Sequence, residues 1–256
     1  MNHIEKYYNK FNEDKRLLSR HGHVEFTITM QYIKKYLPSP CKILDVGAGT
    51  GRYSVALDGL GHDVTAVELV KKNLSVLKQN APNIKAFQGN ATNLKKFIDN
   101  SFDAVLLFGP MYHLFNDVDK LKVLSEAKRV TKPNGTIFIA YLLSDYAIIR
   151  HGFMDKNILD SIKCGKVDDN FNILSTEEDL YSYVSLEKIS ELNQTANLQR
   201  LQIISPDGPT DYIRQYINKL TDDEFKNYLK FVEKNSANPN TIGASSHVVD
   251  ILKNTK

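Results

Sequence analysis

Ile43-Leu44-Asp45-Val46-Gly47-Ala48-Gly49-Thr50-Gly51-Arg52 is the stretch on which the fold of this 256-residue chain turns. An aliphatic and β-branched run containing one acidic side chain enters a turn with glycine at 47, 49 and 51, and a helix-period segment follows. Glycine tolerates the positive φ that a tight strand-to-helix turn needs and lets a ligand approach the backbone. The unpaired N–H groups at the start of the next helix favour polar or anionic groups. Spacing weakens two phosphate-binding readings. The dinucleotide pattern G-x-G-x-x-G, counted from Gly47, requires glycine at 52, where Arg52 stands, and no Gly-Lys pair follows as a phosphate loop would need.

The alternation continues outward. Lys42 to Val46, His62 to Glu68, Ile84 to Gln88, Phe102 to Phe108 and Thr136 to Leu142 read as short strands, apolar enough to be covered on both faces. Val70, Leu74 and Leu77, and again Val123, Ala127 and Val130, recur at i, i+4, i+7, so each stretch lays one helical face against the sheet. The second of these helices is expected to end near Lys132, with Pro133-Asn134-Gly135 as a stop and turn. Further on, Asp145 to Glu177 reads as irregular, Ser185 starts a helix carrying Leu186, Ile189 and Leu192, and Leu198 to Ser205 reads as a strand. Thr221 and Glu224 form a capping box before Phe225, Tyr228 and Phe231, and Ser245 to Leu252 reads as a closing strand. The expectation is an α/β fold: a doubly wound, mostly parallel seven-stranded sheet with helices on both faces. Residues 1–37 read as an N-terminal helical cap, shut off by Pro38 and Pro40, and 38–256 as the sheet domain with insertions at about 145–185 and 205–242.

Composition narrows the function classes. Lys and Arg number 33 against 30 Asp and Glu, a net +3, with 42% hydrophobic residues. That composition is too apolar for a disordered chain, and the charge is too mild to imply a nucleic-acid partner. Two cysteines are too few for a disulfide framework or a cysteine-based zinc site, which suits a reducing compartment. With no apolar run near the roughly 20 residues of a bilayer span, a soluble, cytoplasmic protein without membrane contact is expected. His21 and His23 lack further ligand-type residues at metal spacing, so no metal is expected.

The glycine stretch resembles motif I of the class I, Rossmann-like S-adenosylmethionine-dependent methyltransferases, and the family's later stations follow in order across residues 40–143. Glu68 closes the second strand, Gly89-Asn90-Ala91 ends the third, Phe102 to Leu114 resembles the fourth strand and its loop, and Lys132-Pro133-Asn134-Gly135-Thr136 resembles the turn before the fifth. The resemblance implies S-adenosyl-L-methionine as methyl donor, with S-adenosyl-L-homocysteine as product. It implies a cofactor site made of Asp45 under the methionine amino group, Gly47, Ala48, Gly49 and Gly51 in close backbone approach, Glu68 on the ribose hydroxyls with Leu69 beside it, Asn90 and Ala91 at adenine, and Phe108. Asn90 stands where the family commonly has Asp, and its amide oxygen can still accept from the adenine amino group.

The Gly-Pro-Met-Tyr-His-Leu loop is reminiscent of bacterial members acting on small molecules, which implies a small-molecule acceptor methylated on O or N. An aromatic after Gly-Pro either packs or faces ligand. On the second reading His113 is the candidate general base and Tyr112 its positioning partner. Tyr7, Tyr8, Arg20 and His21 are expected in a lid over the site. RNA or protein methylation, and a regulatory module that binds adenosylmethionine without catalysis, stay open as alternatives.

Overall fold

The computed structural model describes residues 19–256. Its sheet runs β3 (Lys85–Gln88), β2 (Asp63–Glu68), β1 (Lys42–Val46), β4 (Phe102–Leu107), β5 (Thr131–Leu143), β8 (His247–Lys253), β7 (Gln199–Ile204), with β6 (Tyr183–Val184) attached to the end of β5. Pairing is parallel from β3 through β5 and antiparallel where β8 meets β5 and β7. The longer helices are α1 (Arg20–Tyr36), α2 (Arg52–Asp58), α3 (Lys71–Asn80), α4 (Asp117–Val130), α5 (Leu186–Thr195) and α6 (Asp222–Asn235).

Alternation along the strands builds two cores. Leu44, Val46, Val105 and Leu107 enter one, against Val123, Leu124, Ala127 and Val130 of α4 and Ile189 and Leu192 of α5. Ile43, Ala104 and Leu106 enter the other, against Met30, Ile33, Leu57, Leu74 and Leu77. Successive side chains on a strand point to opposite faces, so a strand apolar at every position must be covered twice. The same rule sets the site. β1 lies between β2 and β4, the point where the strand order reverses, and ligands of open α/β sheets bind outside the carboxyl ends there.

Four local readings change. Among the described residues the sheet has eight strands rather than seven, because the two-residue β6 pairs with Leu142 and Leu143, and two residues carry no periodic signal. Pro133-Asn134-Gly135 is not a turn ahead of the strand. α4 stops at Val130, Thr131 already pairs with Phe102, and the ladder resumes at Thr136 against Ala104, so 132–135 bulge out of β5 with Asn134 at φ 64°. The 145–177 stretch is not irregular throughout: it holds a π-helical turn, Ile148–Met154, and a short helix, Ile158–Lys163. Finally, α1 packs on α6 through Val24, Ile28 and Val232, so the N-terminal cap and the second insertion support each other. The capping box at Thr221 and Glu224 is present at the start of α6. Among the described residues no helix is long and apolar enough to cross a membrane.

Candidate active site

The turn after β1 is held by hydrogen bonds that only a glycine-rich backbone allows. Gly47, Gly49 and Gly51 have φ of 78°, 59° and 95°. The N–H groups of Gly47 and Ala48 both donate to the Val67 carbonyl, at 2.8 and 3.1 Å. Gly49 N–H donates to Glu68 Oε2 at 2.8 Å, while Val70 N–H donates to Oε1 at 2.7 Å. Glu68, 5% exposed, therefore ties the loop after β1 to the turn after β2. The three glycines serve different ends. A Cβ at Gly47 would lie 2.7 Å from Pro110 Cδ and one at Gly51 2.8 Å from Leu77 Cγ, whereas one at Gly49 would meet nothing within 4 Å. Gly47 and Gly51 permit packing; Gly49 faces open space.

That space is a cavity of about 470 Å³ along the carboxyl ends of β1 to β4. Asp45, Gly47, Ala48, Gly49, Glu68, Leu69, Asn90, Ala91, Phe108, Tyr112 and His113 all line it. Gly51 does not, since its position belongs to the Leu77 contact. Asp45 is buried and accepts from Ser54 Oγ at 2.6 Å. Burial raises its carboxyl to about 6, and the charge of Glu68 adds to the rise. Asn90 Oδ1 already accepts from the Thr92 N–H and hydroxyl, both at 3.0 Å, so the oxygen expected to meet adenine is shared with a local turn.

Beyond β4 the wall is aromatic. Tyr112 hydroxyl donates to the Phe108 carbonyl at 2.7 Å, and the Tyr112, His113 and Tyr181 rings cluster with centroids 4.9 to 5.8 Å apart. His113 Nδ1 donates to the Leu180 carbonyl at 2.9 Å. Burial pushes its imidazole down to about 4, so it is neutral at pH 7 and a weak base.

Among the lining residues that escaped the sequence reading are Glu25 from α1, Glu177 and Asp179 from the first insertion, and His247 at the start of β8. His247 Nδ1 donates to Asp207 Oδ2 at 2.9 Å. No local pattern marks any of them. Among the described residues, 205–242 contributes nothing to the wall itself and reaches the site through Asp207 behind His247. Arg20 and His21 are not among the residues lining the cavity: Arg20 pairs with Asp222 at 2.6 Å and His21 contacts Asn218. Tyr7 and Tyr8 lie outside the described residues. Among the described residues the lining holds six carboxylates, Glu25, Asp45, Glu68, Asp119, Glu177 and Asp179, and one guanidinium, that of Arg52. Among the described residues no group of three His, Cys, Asp or Glu side chains could hold a metal ion.

These features fit adenosylmethionine, which carries no phosphate but has an ammonium group, a ribose and an adenine. The open face at Gly49 admits close approach, Asp45 and Glu68 are acceptors for N–H and O–H donors, and the acidic wall suits a cationic ligand.

Comparison with known proteins agrees. Residues 44–139 match the family model described as a methyltransferase domain. A demethylmenaquinone methyltransferase of Renibacterium salmoninarum is 41% identical over 99 residues, 39% of this chain and 40% of that protein. A ubiquinone biosynthesis O-methyltransferase of Pelagibacter ubique is 27% identical over 198 residues, 75% of each chain. The chain thus spans about two fifths of the length of the first of these relatives. Among solved structures, a SAM-dependent methyltransferase from Thermotoga maritima superposes with a TM-score of 0.63 at 17% identity, covering 99% of both chains, and so shares the fold. Residues 44–139 thus match a methyltransferase domain, and the chain shares its fold with solved SAM-dependent methyltransferases.

Proposed function

We propose that the chain as a whole moves a methyl group from S-adenosylmethionine to an O or N atom of a small molecule, releasing S-adenosylhomocysteine. The observation that carries this is the cavity face at Gly49, open where the flanking glycines are filled, with Glu68 fastened across it. In this reading Gly47, Ala48 and Gly49 hold the methionine end, Asp45 accepts from its ammonium group, Glu68 and Leu69 take the ribose, and Asn90, Ala91 and Phe108 border the adenine slot. Gly51 acts indirectly, by letting α2 start against Leu77.

The sulfonium donor, when bound, supplies an electrophilic methyl group. The chain's own residues then have to orient the acceptor and exclude water, and orientation of this kind is worth up to about 7–11 kcal/mol. Tyr112 and His113 are suited to orienting it, since both are fixed by hydrogen bonds to backbone carbonyls and both line the cavity. The acidic lining supports a small neutral or cationic acceptor over an RNA, because among the described residues phosphates would meet six lining carboxylates and one guanidinium. The similarity to menaquinone and ubiquinone methyltransferases supports a small-molecule acceptor as well. The cap at 1–37, of which α1 is the described part, belongs to this site through Glu25.

Calorimetric titration with adenosylmethionine and adenosylhomocysteine, followed by transfer of tritiated methyl to the small-molecule, RNA and protein fractions of a bacterial extract, tests the proposal. Binding with label in the small-molecule fraction is expected. Label confined to RNA or protein would overturn the acceptor class, and binding without transfer would point to a regulatory module.

A further inference from the structure

We infer that His247 and Asp207 form the proton-accepting pair of this reaction, and that the acceptor consequently presents an O–H or N–H group. The inference rests on the methyltransferase reading above.

Position comes first. β8 runs antiparallel to β5 with His247 opposite Leu142, so the start of β8 shares a sheet edge with the carboxyl ends of β4 and β5. The groups proposed for the cofactor follow β1, β2 and β3. His247 lines the same cavity from the β5 and β8 side of the switch point.

Chemistry comes second. An ionised carboxylate only accepts, so the 2.9 Å contact between His247 Nδ1 and Asp207 Oδ2 places a ring proton on Nδ1, and in the neutral ring Nε2 is then the basic nitrogen. A carboxylate behind an imidazole fixes this tautomer and stabilises the imidazolium that forms when Nε2 takes a proton.

The carboxylate is itself held. Asp207 is 5% exposed, its Oδ1 accepts from Ser245 Oγ at 2.7 Å, Ser205 Oγ donates to Ser245 Oγ at 2.6 Å, and Gly208 N–H donates to Ser205 Oγ at 3.0 Å. Around it burial raises the hydroxyls of Tyr146, Tyr212 and Tyr228; Asp211 adds to the rise at Tyr146, and the charge of Asp207 contributes a smaller share at each. His113 differs in this respect. Its Nδ1 donates to a neutral carbonyl, and its imidazole sits at about 4.

In the step assigned to the pair, the acceptor's X–H bond breaks and its proton passes to His247 Nε2. The new X–C bond forms as the donor's S–C bond breaks, the bonding pair remaining on sulfur, and the proton later returns to solvent. Asp207 touches none of the reacting atoms and is a positioning residue.

The test uses the full chain saturated with adenosylhomocysteine. ¹⁵N NMR of labelled histidine should show His247 as the Nδ1–H tautomer in wild type, and Asp207→Asn should change it. His247→Gln should bind adenosylmethionine within about threefold of wild type while losing about 100-fold or more in label transfer to the small-molecule fraction of a bacterial extract. Added imidazole should restore part of the transfer in His247→Gly, an effect a purely structural histidine would not show. An Nε2–H tautomer in wild type, transfer by His247→Gln at the wild-type rate, or a labelled product that is a quaternary ammonium or sulfonium ion would each overturn the pair's role while leaving the methyltransferase reading intact. A wild type that binds no adenosylmethionine, or binds it and moves no label, would overturn both.

Discussion

Alanine at the three glycines of the first turn should separate packing from ligand approach. All three positions have φ between 59° and 95°, where an L side chain costs about 1–2 kcal/mol. At Gly49 this is the whole penalty, because the new Cβ has nothing within 4 Å. At Gly47 and Gly51 the methyl would come within 2.7 Å of the Pro110 ring and 2.8 Å of the branched carbon of Leu77, neither of which can swing away as a flexible chain end would. Overpacking of this kind adds about 1–3 kcal/mol, for a sum of about 2–5 kcal/mol. At roughly 2–4 °C per kcal/mol for a chain of this size, Gly49→Ala should lower the melting midpoint by about 2–8 °C and Gly51→Ala by more. Affinity should run in the opposite order. The methyl at 49 enters the face where the cofactor would lie and should weaken adenosylmethionine about tenfold or more, a loss of about 1.4 kcal/mol, whereas folded Gly51→Ala should bind nearly as wild type. Thermal unfolding and calorimetric titration of the two variants read both quantities. Undiminished affinity in Gly49→Ala, or a selective affinity loss in Gly51→Ala, would refute this division of labour.

Glu68→Ala removes the acceptor of both the Gly49 and the Val70 N–H groups; at about 1.5–3 kcal/mol per charged hydrogen bond it should lower stability in the ligand-free protein as well as adenosylmethionine affinity, which denaturant titration and calorimetry would show. Asp45 stands at about 6 in the folded chain against 3.8 ordinarily. A raised carboxyl contributes stability that is full below its ordinary value and is lost as pH climbs through about 6. A ligand ammonium favours the ionised form, so adenosylmethionine affinity should fall below about pH 6 and binding near that pH should release a proton, measurable by calorimetry in buffers of different ionisation enthalpy; proton uptake, or release undiminished in Asp45→Asn, would count against this role. Asp250, fully buried, accepts from Arg200 Nε at 2.7 Å and Asn193 Nδ2 at 2.6 Å. Asp250→Ala should cost about 3–5 kcal/mol in denaturant unfolding by stranding its partners, with cofactor affinity in the folded fraction unchanged.

Much of the fold was legible because its signals are short-ranged. The double burial of β1 and β4 shows in runs of adjacent apolar residues, the helices in a spacing of three and four residues, and the start of α6 in the Thr221 and Glu224 capping box. The cavity wall formed by Asp45, Gly47, Ala48, Gly49, Glu68, Leu69, Asn90, Ala91 and Phe108 is legible for the same reason: these residues lie at or just beyond strand ends, so chain order nearly specifies place. The bulge at 132–135 was not, since it depends on how β5 registers against Phe102 and Ala104.

The acceptor side resisted for a different reason. His113 looked like an ordinary imidazole until burial, outweighing a hydrogen bond to the Leu180 carbonyl that raises it, pushed it down to about 4. His247 meets Asp207 across 40 residues, through a loop and a strand that only antiparallel pairing with β5 brings to the site. Backbone turns and apolar periodicity are properties of neighbours in the chain and can be read along it. Proton affinity and catalytic partnership depend on which distant groups burial and strand register bring within hydrogen-bond reach, and those the folded chain alone decided.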